Sequence, residues 1–218
     1  NSERYSALIV PPIGPWPRFD PPLRLGVMAS GTGSNFEALH NATACGDLNA
    51  QLCLLVVNKA GCGARQRAAH LGIRCELRDH RHFTSREALD QDLVHTFQDE
   101  GVEAIVMAGW MRIVTPVLID AFPGRLINIH PSLLPSFRGM DAIGQCLTSG
   151  AAIAGCTVHE VQKDVDTGPI LAQAAVPVLP GDDKEKLTRR IQAQEHRLLP
   201  WATALAGQRW RKAASTQG

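Results

Sequence analysis

The sequence predicts an α/β fold: a Rossmann-like, doubly wound and mainly parallel sheet, ending in a C-terminal antiparallel meander and a closing helix. Three observations carry that prediction. Short β-branched runs alternate with helix-periodic stretches between residues 23 and 130, the succession that βαβ units require. The second half instead holds two strand-like runs, 153–161 and 170–178, joined by a short connector, which reads as a hairpin or meander. A last amphipathic stretch, 182–205, closes the chain's pattern.

Element by element, residues 1–22 are proline-rich (Pro11, Pro12, Pro15, Pro17, Pro21 and Pro22) and read as a loose or strap-like extension. The apolar stretch at 7–10 is too short for a signal-peptide core. Residues 23–29 form the first strand of the domain proper, and a helix starts at Asn35. A second strand spans 51–58, a helix 64–71, and a short third strand 73–77. Thr84-Ser-Arg-Glu87 has a capping-box pattern, and Leu89, Leu93, Val94 and Phe97 mark an amphipathic helix that stops at Gly101. A fourth strand covers 104–108, and Thr115-Pro116 opens another helix. The run ending Asn128-Ile-His130 is the fifth strand. Asp182, with Glu185, caps the closing helix. The organisation is thus an extension, 1–22, and a single domain, 23–218.

Composition narrows the function classes. At 44% hydrophobic and 20% charged residues the chain is ordinary for a globular protein. Its 22 basic against 21 acidic side chains create no field that favours nucleic acid or a membrane surface. Small-molecule substrates are the expected partners, with a monomer or weak homodimer as the assembly. Its apolar runs are strand-sized, too short for a membrane span. Six cysteines, at 45, 53, 62, 75, 146 and 156, show neither CxxC nor metal-ligand spacing. They read as reduced, mostly buried thiols of a cytoplasmic protein, with Cys62, between two glycines, as the exposed one. No metal is expected.

Three segments carry chemistry. Gly31-Thr-Gly33-Ser34-Asn35 lies between a strand and its helix, where glycines admit an anion to the free N–H groups of the helix start. Phe36 occupies the third glycine position of a dinucleotide fingerprint, and no Gly-Lys-Ser/Thr follows, so a phosphate monoester is the natural ligand. A plain tight turn is the simpler alternative. Asn128 and His130, two apart on one strand, share a face. An unsatisfied polar pair there costs roughly 2–7 kcal/mol, a penalty that an active site has reason to bear. The amide and a protonated imidazole can both donate to a developing oxyanion, and the imidazole can deliver a proton to a leaving nitrogen. Asp166, in Asp166-Thr-Gly-Pro169, is the candidate partner, with Glu160 and Asp164 nearby. The remaining histidines, His159 among them, read as satisfied core or surface residues. Met107 to Val114 could line a flat heteroaromatic pocket, or could equally be core. Taken alone, the helix segment around Glu195 reads as a solvated face.

Taken together, Gly31–Asn35, Asn58-Lys59, Ser85-Arg86-Glu87, the 108–113 segment, Asn128-Ile-His130 with its prolines, Asp166–Pro169 and Gln194-Glu195-His196 resemble the phosphoribosylglycinamide formyltransferases. These belong to the folate-dependent formyltransferase superfamily. The resemblance runs from about 23 to 209 and implies transfer of a formyl group from 10-formyltetrahydrofolate to the amine of N1-(5-phospho-β-D-ribosyl)glycinamide, in purine biosynthesis. It implies that Gly33, Ser34 and Asn35 bind the phosphate and Glu195 the ribose hydroxyls. Arg86, Met111, Arg112, Ile113 and Val114, with Asn128 and Val165, would hold the folate co-substrate. Asn128, His130 and Asp166 match the catalytic trio. One departure stands out: Ile143 occupies a position where many members have histidine.

Other functions fit the same residues less well. A formyltetrahydrofolate hydrolase is expected to carry a regulatory domain, and a methionyl-tRNA formyltransferase a basic C-terminal one. A nicotinamide-dependent dehydrogenase needs a complete glycine fingerprint and an acid where Asn58-Lys59 stands. A non-catalytic nucleotide-binding module leaves Asn128 and His130 unexplained.

Overall fold

The computed structural model of the protein describes residues 7–215. Its strands are β1 (Leu8–Val10), β2 (Leu23–Ala29), β3 (Ala50–Val57), β4 (Cys75–Leu77), β5 (Ala104–Met107), β6 (Leu126–His130), β7 (Ile153–Glu160) and β8 (Ile170–Pro177). Its helices are α1 (Ser34–Ala44), α2 (Gly63–Leu71), α3 (Arg86–Asp99), α4 (Pro116–Ala121), α5 (Ala142–Ser149) and α6 (Lys184–Ser215). The strands form one sheet in the order β1-β8-β7-β6-β5-β2-β3-β4. From β6 to β4 every neighbour is parallel, while β7, β8 and β1 add antiparallel ladders.

β2 lies between β3 and β5, so the chain winds outward first on one side and then on the other. The loops after β2 and β5 therefore diverge at a topological switch point, where open α/β sheets bind ligands. Strand alternation divides the apolar side chains between two cores. Leu25, Val27, Leu55, Val106 and Ile127 join one, with α1 and α6 residues such as Leu39 and Leu198. Met28, Leu54, Val56 and Ile105 join the other, with Leu93 and Phe97 of α3. Gly26 is small for a packing reason: a Cβ there would lie 2.5 Å from the Phe97 ring. A fully buried Phe97 contributes roughly 1.5–3 kcal/mol.

The predicted architecture is the observed one, with five corrections. Ser85, not Thr84, caps α3, its Oγ accepting from the Ala88 N–H at 3.0 Å; the helix begins one residue late for a capping box, which leaves Glu87 a turn position short. Asp183, not Asp182, caps α6 by accepting from Lys186 N–H at 2.8 Å. Asp182 is taken by Arg190 and the Leu179 N–H instead. α6 runs ten residues past 205, to Ser215, and carries Pro200 internally. Helix α5 went unrecognised in the sequence. Cys62 is buried rather than exposed, and Cys45 is the exposed thiol. The reason is close packing: a Cβ on Gly63 would lie 2.8 Å from the Thr32 carbonyl, so this glycine brings the chain in against the loop after β2.

Residues 1–6 of the extension lie outside the described residues. The rest of it docks: β1 pairs with β8, Trp16 meets Trp201 edge-on at 5.2 Å, and Phe19 is buried. Among the described residues no helix is long and apolar enough to cross a membrane.

Candidate active site

β6 is apolar and central, and it delivers Asn128 and His130 toward its carboxyl end on one face. His130 is buried, whereas Asn128 is half-buried rather than fully buried as the sequence suggested. His130 Nε2 sits 2.9 Å from the Phe137 carbonyl and so carries the proton there. Its Nδ1 faces Asp166 Oδ2 at 3.4 Å. The contact that the sequence left open between these two residues is therefore present. Asp166 itself sits at a φ of 54° and accepts from the Gly139 N–H at 2.9 Å. Gly168 allows this loop to lie down, since a Cβ there would be 1.8 Å from the Glu160 carbonyl.

A fourth residue joins the cluster. His159, placed among the structural histidines from sequence, is 2% exposed, with Nε2 3.3 Å from Asn128 Nδ2 and 3.5 Å from Asp166 Oδ1. Its Nδ1 faces the Glu160 carbonyl at 2.9 Å, which fixes that nitrogen as the donor. The available signal was pairing across the sheet: on β7, His159 lies directly opposite Asn128. Each imidazole thus gives one N–H to a backbone carbonyl and turns its other nitrogen to Asp166. Burial alone would raise the Asp166 carboxyl. The hydrogen bond from His159, the Gly139 N–H and the nearby imidazole charges outweigh burial and hold it below the ordinary aspartate range. The cluster thus holds Asp166 as a carboxylate between two imidazoles, an arrangement through which a proton can be passed.

The loop after β2 is the second component. Gly33 is the N-cap of α1 at a φ of 78°, with no side chain capping the helix. The first-turn N–H groups, from Ser34 and Asn35 onward, are left to face an anion. Asn35 Nδ2 donates to Glu195 Oε2 at 2.9 Å. Glu195 is 6% exposed, so its solvated-face reading is corrected; burial pushes its carboxyl above the ordinary glutamate range, with the Asn35 bond opposing. An open cavity of about 760 Å³ lies beside this loop, lined by Gly31, Thr32, Lys59, Gly63, Arg67 and His70 among others. It abuts the loop after β2 and does not include the Asn128 cluster.

The third component follows β5. Met111 and Ile113 are 74% and 55% exposed, an unusual outlay of apolar surface. Arg112 is half-buried and Val114 buried. Met111 N–H donates to Ser30 Oγ at 2.9 Å, tying this loop to the one after β2. Arg86 is exposed at the start of α3, and Val165, 46% exposed, directly precedes Asp166. Ile143 packs into the core at 8% exposure and offers no polar contact. Among the described residues no group of three or more His, Cys, Asp or Glu side chains is arranged to hold a metal ion.

The chain is similar to known proteins over most of its length. A family model described as formyl transferase matches residues 23–203. The chain is 46% identical over 187 residues to the trifunctional purine biosynthetic protein adenosine-3 of Drosophila pseudoobscura pseudoobscura, covering 85% of this chain but only 14% of that protein's length. It is 37% identical over 178 residues to the phosphoribosylglycinamide formyltransferase of Escherichia coli (strain K12), covering 82% of this chain and 84% of that enzyme. The crystal structure of glycinamide ribonucleotide transformylase 1 from Symbiobacterium toebii superposes with a TM-score of 0.84 at 42% identity, covering 86% and 89% of the two chains.

Proposed function

This chain belongs to the formyl transferase family, and from that premise we propose that it transfers the formyl group of 10-formyltetrahydrofolate to the amine of N1-(5-phospho-β-D-ribosyl)glycinamide. The observation that carries the proposal is the contact of Asn128, His130 and Asp166 in one cluster, with distances of 3.3–3.5 Å linking them directly or through His159.

The phosphate binds the first-turn N–H groups at Gly33, Ser34 and Asn35, and Glu195 accepts from the ribose hydroxyls. The folate lies against Arg86, Met111, Arg112, Ile113 and Val114, with Val165 closing over its pterin ring. The substrate amine attacks the formyl carbon and a C–N bond forms while the formyl oxygen gains charge. Asn128 Nδ2, 3.3 Å from His159 Nε2, offers an N–H to that oxygen. Protonated His130 is the stronger donor. Its Nε2–H must exchange the Phe137 carbonyl for the substrate. Collapse breaks the bond from the formyl carbon to N10. Asp166 helps move the proton from the attacking amine toward N10, through an ordered water. Holding both substrates in one cleft supplies at most roughly 7–11 kcal/mol.

The test mixes purified protein with 10-formyltetrahydrofolate and follows tetrahydrofolate production with and without the ribonucleotide. Production that requires the ribonucleotide supports the transferase. Equal production without it indicates hydrolysis, and none in either case removes the proposal.

A further inference from the structure

The mechanism above leaves one deeply buried carboxylate unused. Asp90 lies on α3, one helical turn beyond Arg86, and is 2% exposed. Its Oδ2 accepts from the Thr115 N–H at 2.5 Å, and the Thr115 hydroxyl bonds to it as well. Thr115 is the N-cap of α4 and ends the loop that begins at Met111. Arg112, within that loop, exerts a favourable charge on Asp90, while Glu87 opposes it. The Arg112 Nε is buried without a hydrogen-bond partner among the described residues. One carboxylate therefore ties the helix that carries Arg86 to the end of the loop 111–115 and feels the charge of Arg112 within it.

We propose that Asp90 is a positioning residue for the folate side of the cleft, holding the Met111–Val114 loop and Arg86 in register. This rests on the folate-binding role assigned above to those residues. Two features argue against a merely structural carboxylate. A buried, charged acceptor is a costly way to cap one short helix, because Thr115 already caps α4 through its own Oγ to the Val117 N–H. Asp90 also acts on a loop whose Met111 and Ile113 side chains are held out to solvent rather than packed. Burial pushes its carboxyl up, and the two Thr115 hydrogen bonds draw it back.

The experiment compares the full chain with Asp90→Ala and Asp90→Asn. Tetrahydrofolate is titrated by tryptophan fluorescence, KM is measured for each substrate, and amide hydrogen exchange is followed over residues 111–115. Asp90→Ala is expected to weaken tetrahydrofolate binding and raise the folate KM by about 10-fold, to speed exchange at 111–115, and to leave the ribonucleotide KM within about 2-fold. Asp90→Asn keeps an acceptor for Thr115 and should fall between, with the Thr115 amide still protected.

Unchanged folate binding and exchange in Asp90→Ala would overturn the proposal, as would a parallel rise in both KM values. Should the alanine variant fail to fold, the asparagine variant decides: a selective rise in folate KM upholds positioning and none overturns it. Should the wild-type protein neither bind tetrahydrofolate nor transfer formyl, the functional reading fails by itself. Exchange over 111–115 then still decides whether Asp90 holds the loop.

Discussion

Burial lifts the Glu195 carboxyl above the ordinary glutamate range, and the hydrogen bond from Asn35 only partly opposes it. At low pH the group is protonated in both the folded and unfolded chains and costs nothing. As pH rises past the unfolded value the unfolded chain ionises first, so stability falls until the buried group ionises too. Glu195→Gln should therefore raise Tm at pH 7 and change it little near pH 4. The amide would still accept from Asn35, but under the proposed function it would meet the ribose hydroxyls only as a neutral acceptor. The ribonucleotide KM should rise about 10-fold, from roughly 1–1.5 kcal/mol of lost charge assistance. A variant with lower Tm at pH 7 and an unchanged KM would show that Glu195 is only structural. His130→Ala should cut kcat by roughly 10²–10⁴, the combined worth of a proton donor and an oxyanion donor. Near-normal turnover in a folded variant would remove His130 from the chemistry. At this scale the sequence was uneven. Asn128 and His130 were legible because a polar pair on an apolar strand stands out, whereas Asp166 stood beside Glu160 and Asp164 and was singled out only by the family resemblance. His159 was not, because its importance arises from strand pairing across 31 residues.

The loops, rather than the strands, separate one element's role from another's. Gly33 sits at a φ of 78°, and a Cβ there would lie 2.5 Å from the Ala64 Cα. Backbone meets backbone at that point, so neither side can rotate away. Gly33→Ala should force the starts of α1 and α2 apart, costing roughly 1–3 kcal/mol from conformation alone and raising the ribonucleotide KM more than the folate KM. Equal effects on both substrates, or none, would show that the loop after β2 is not the phosphate cradle. The βα succession was readable from hydrophobic period, since β2, β3, β5 and β6 are short, apolar and bounded by turn residues. Helix α5 was hidden for a physical reason: only eight residues long and interrupted by Gly144, it starts from Asp141 in the left-handed region. The capping errors at Thr84 and Asp182 share another cause. Adjacent residues could each cap a helix, and distant partners such as Arg190 chose between them.

At the scale of the molecule, the docked extension turns a chemistry-bearing domain into a sheet with a covered edge. β1 satisfies the outer edge of β8 from Gln173 to Ala175, and Trp201 Nε1 donates to the Pro11 carbonyl at 3.1 Å. Phe19 is buried against Gly207, where an added Cβ would meet its ring at 2.8 Å. Burial of Phe19 contributes roughly 1.5–3 kcal/mol and the Trp16–Trp201 contact roughly 0.5–1.5 beyond its area. The entropy of ordering the strap opposes both. Removing residues 1–22 should therefore lower Tm by about 4 °C or more, at roughly 2–4 °C per kcal/mol for a chain of this size. It should also promote self-association through the bared β8 edge. Trp16→Ala, which leaves β1 in place, should lower Tm by less and leave the protein monodisperse in sedimentation velocity. Neither change touches Asn128, His130, Asp166, Asn35 or Glu195, and the matched family region begins at residue 23. Well below Tm, kcat and both KM values should therefore stay within about 2-fold of the full chain. An unaltered Tm would mean that the docked strap adds no net stability. A truncated protein that remains folded yet loses turnover would instead make residues 7–22 part of the catalytic unit.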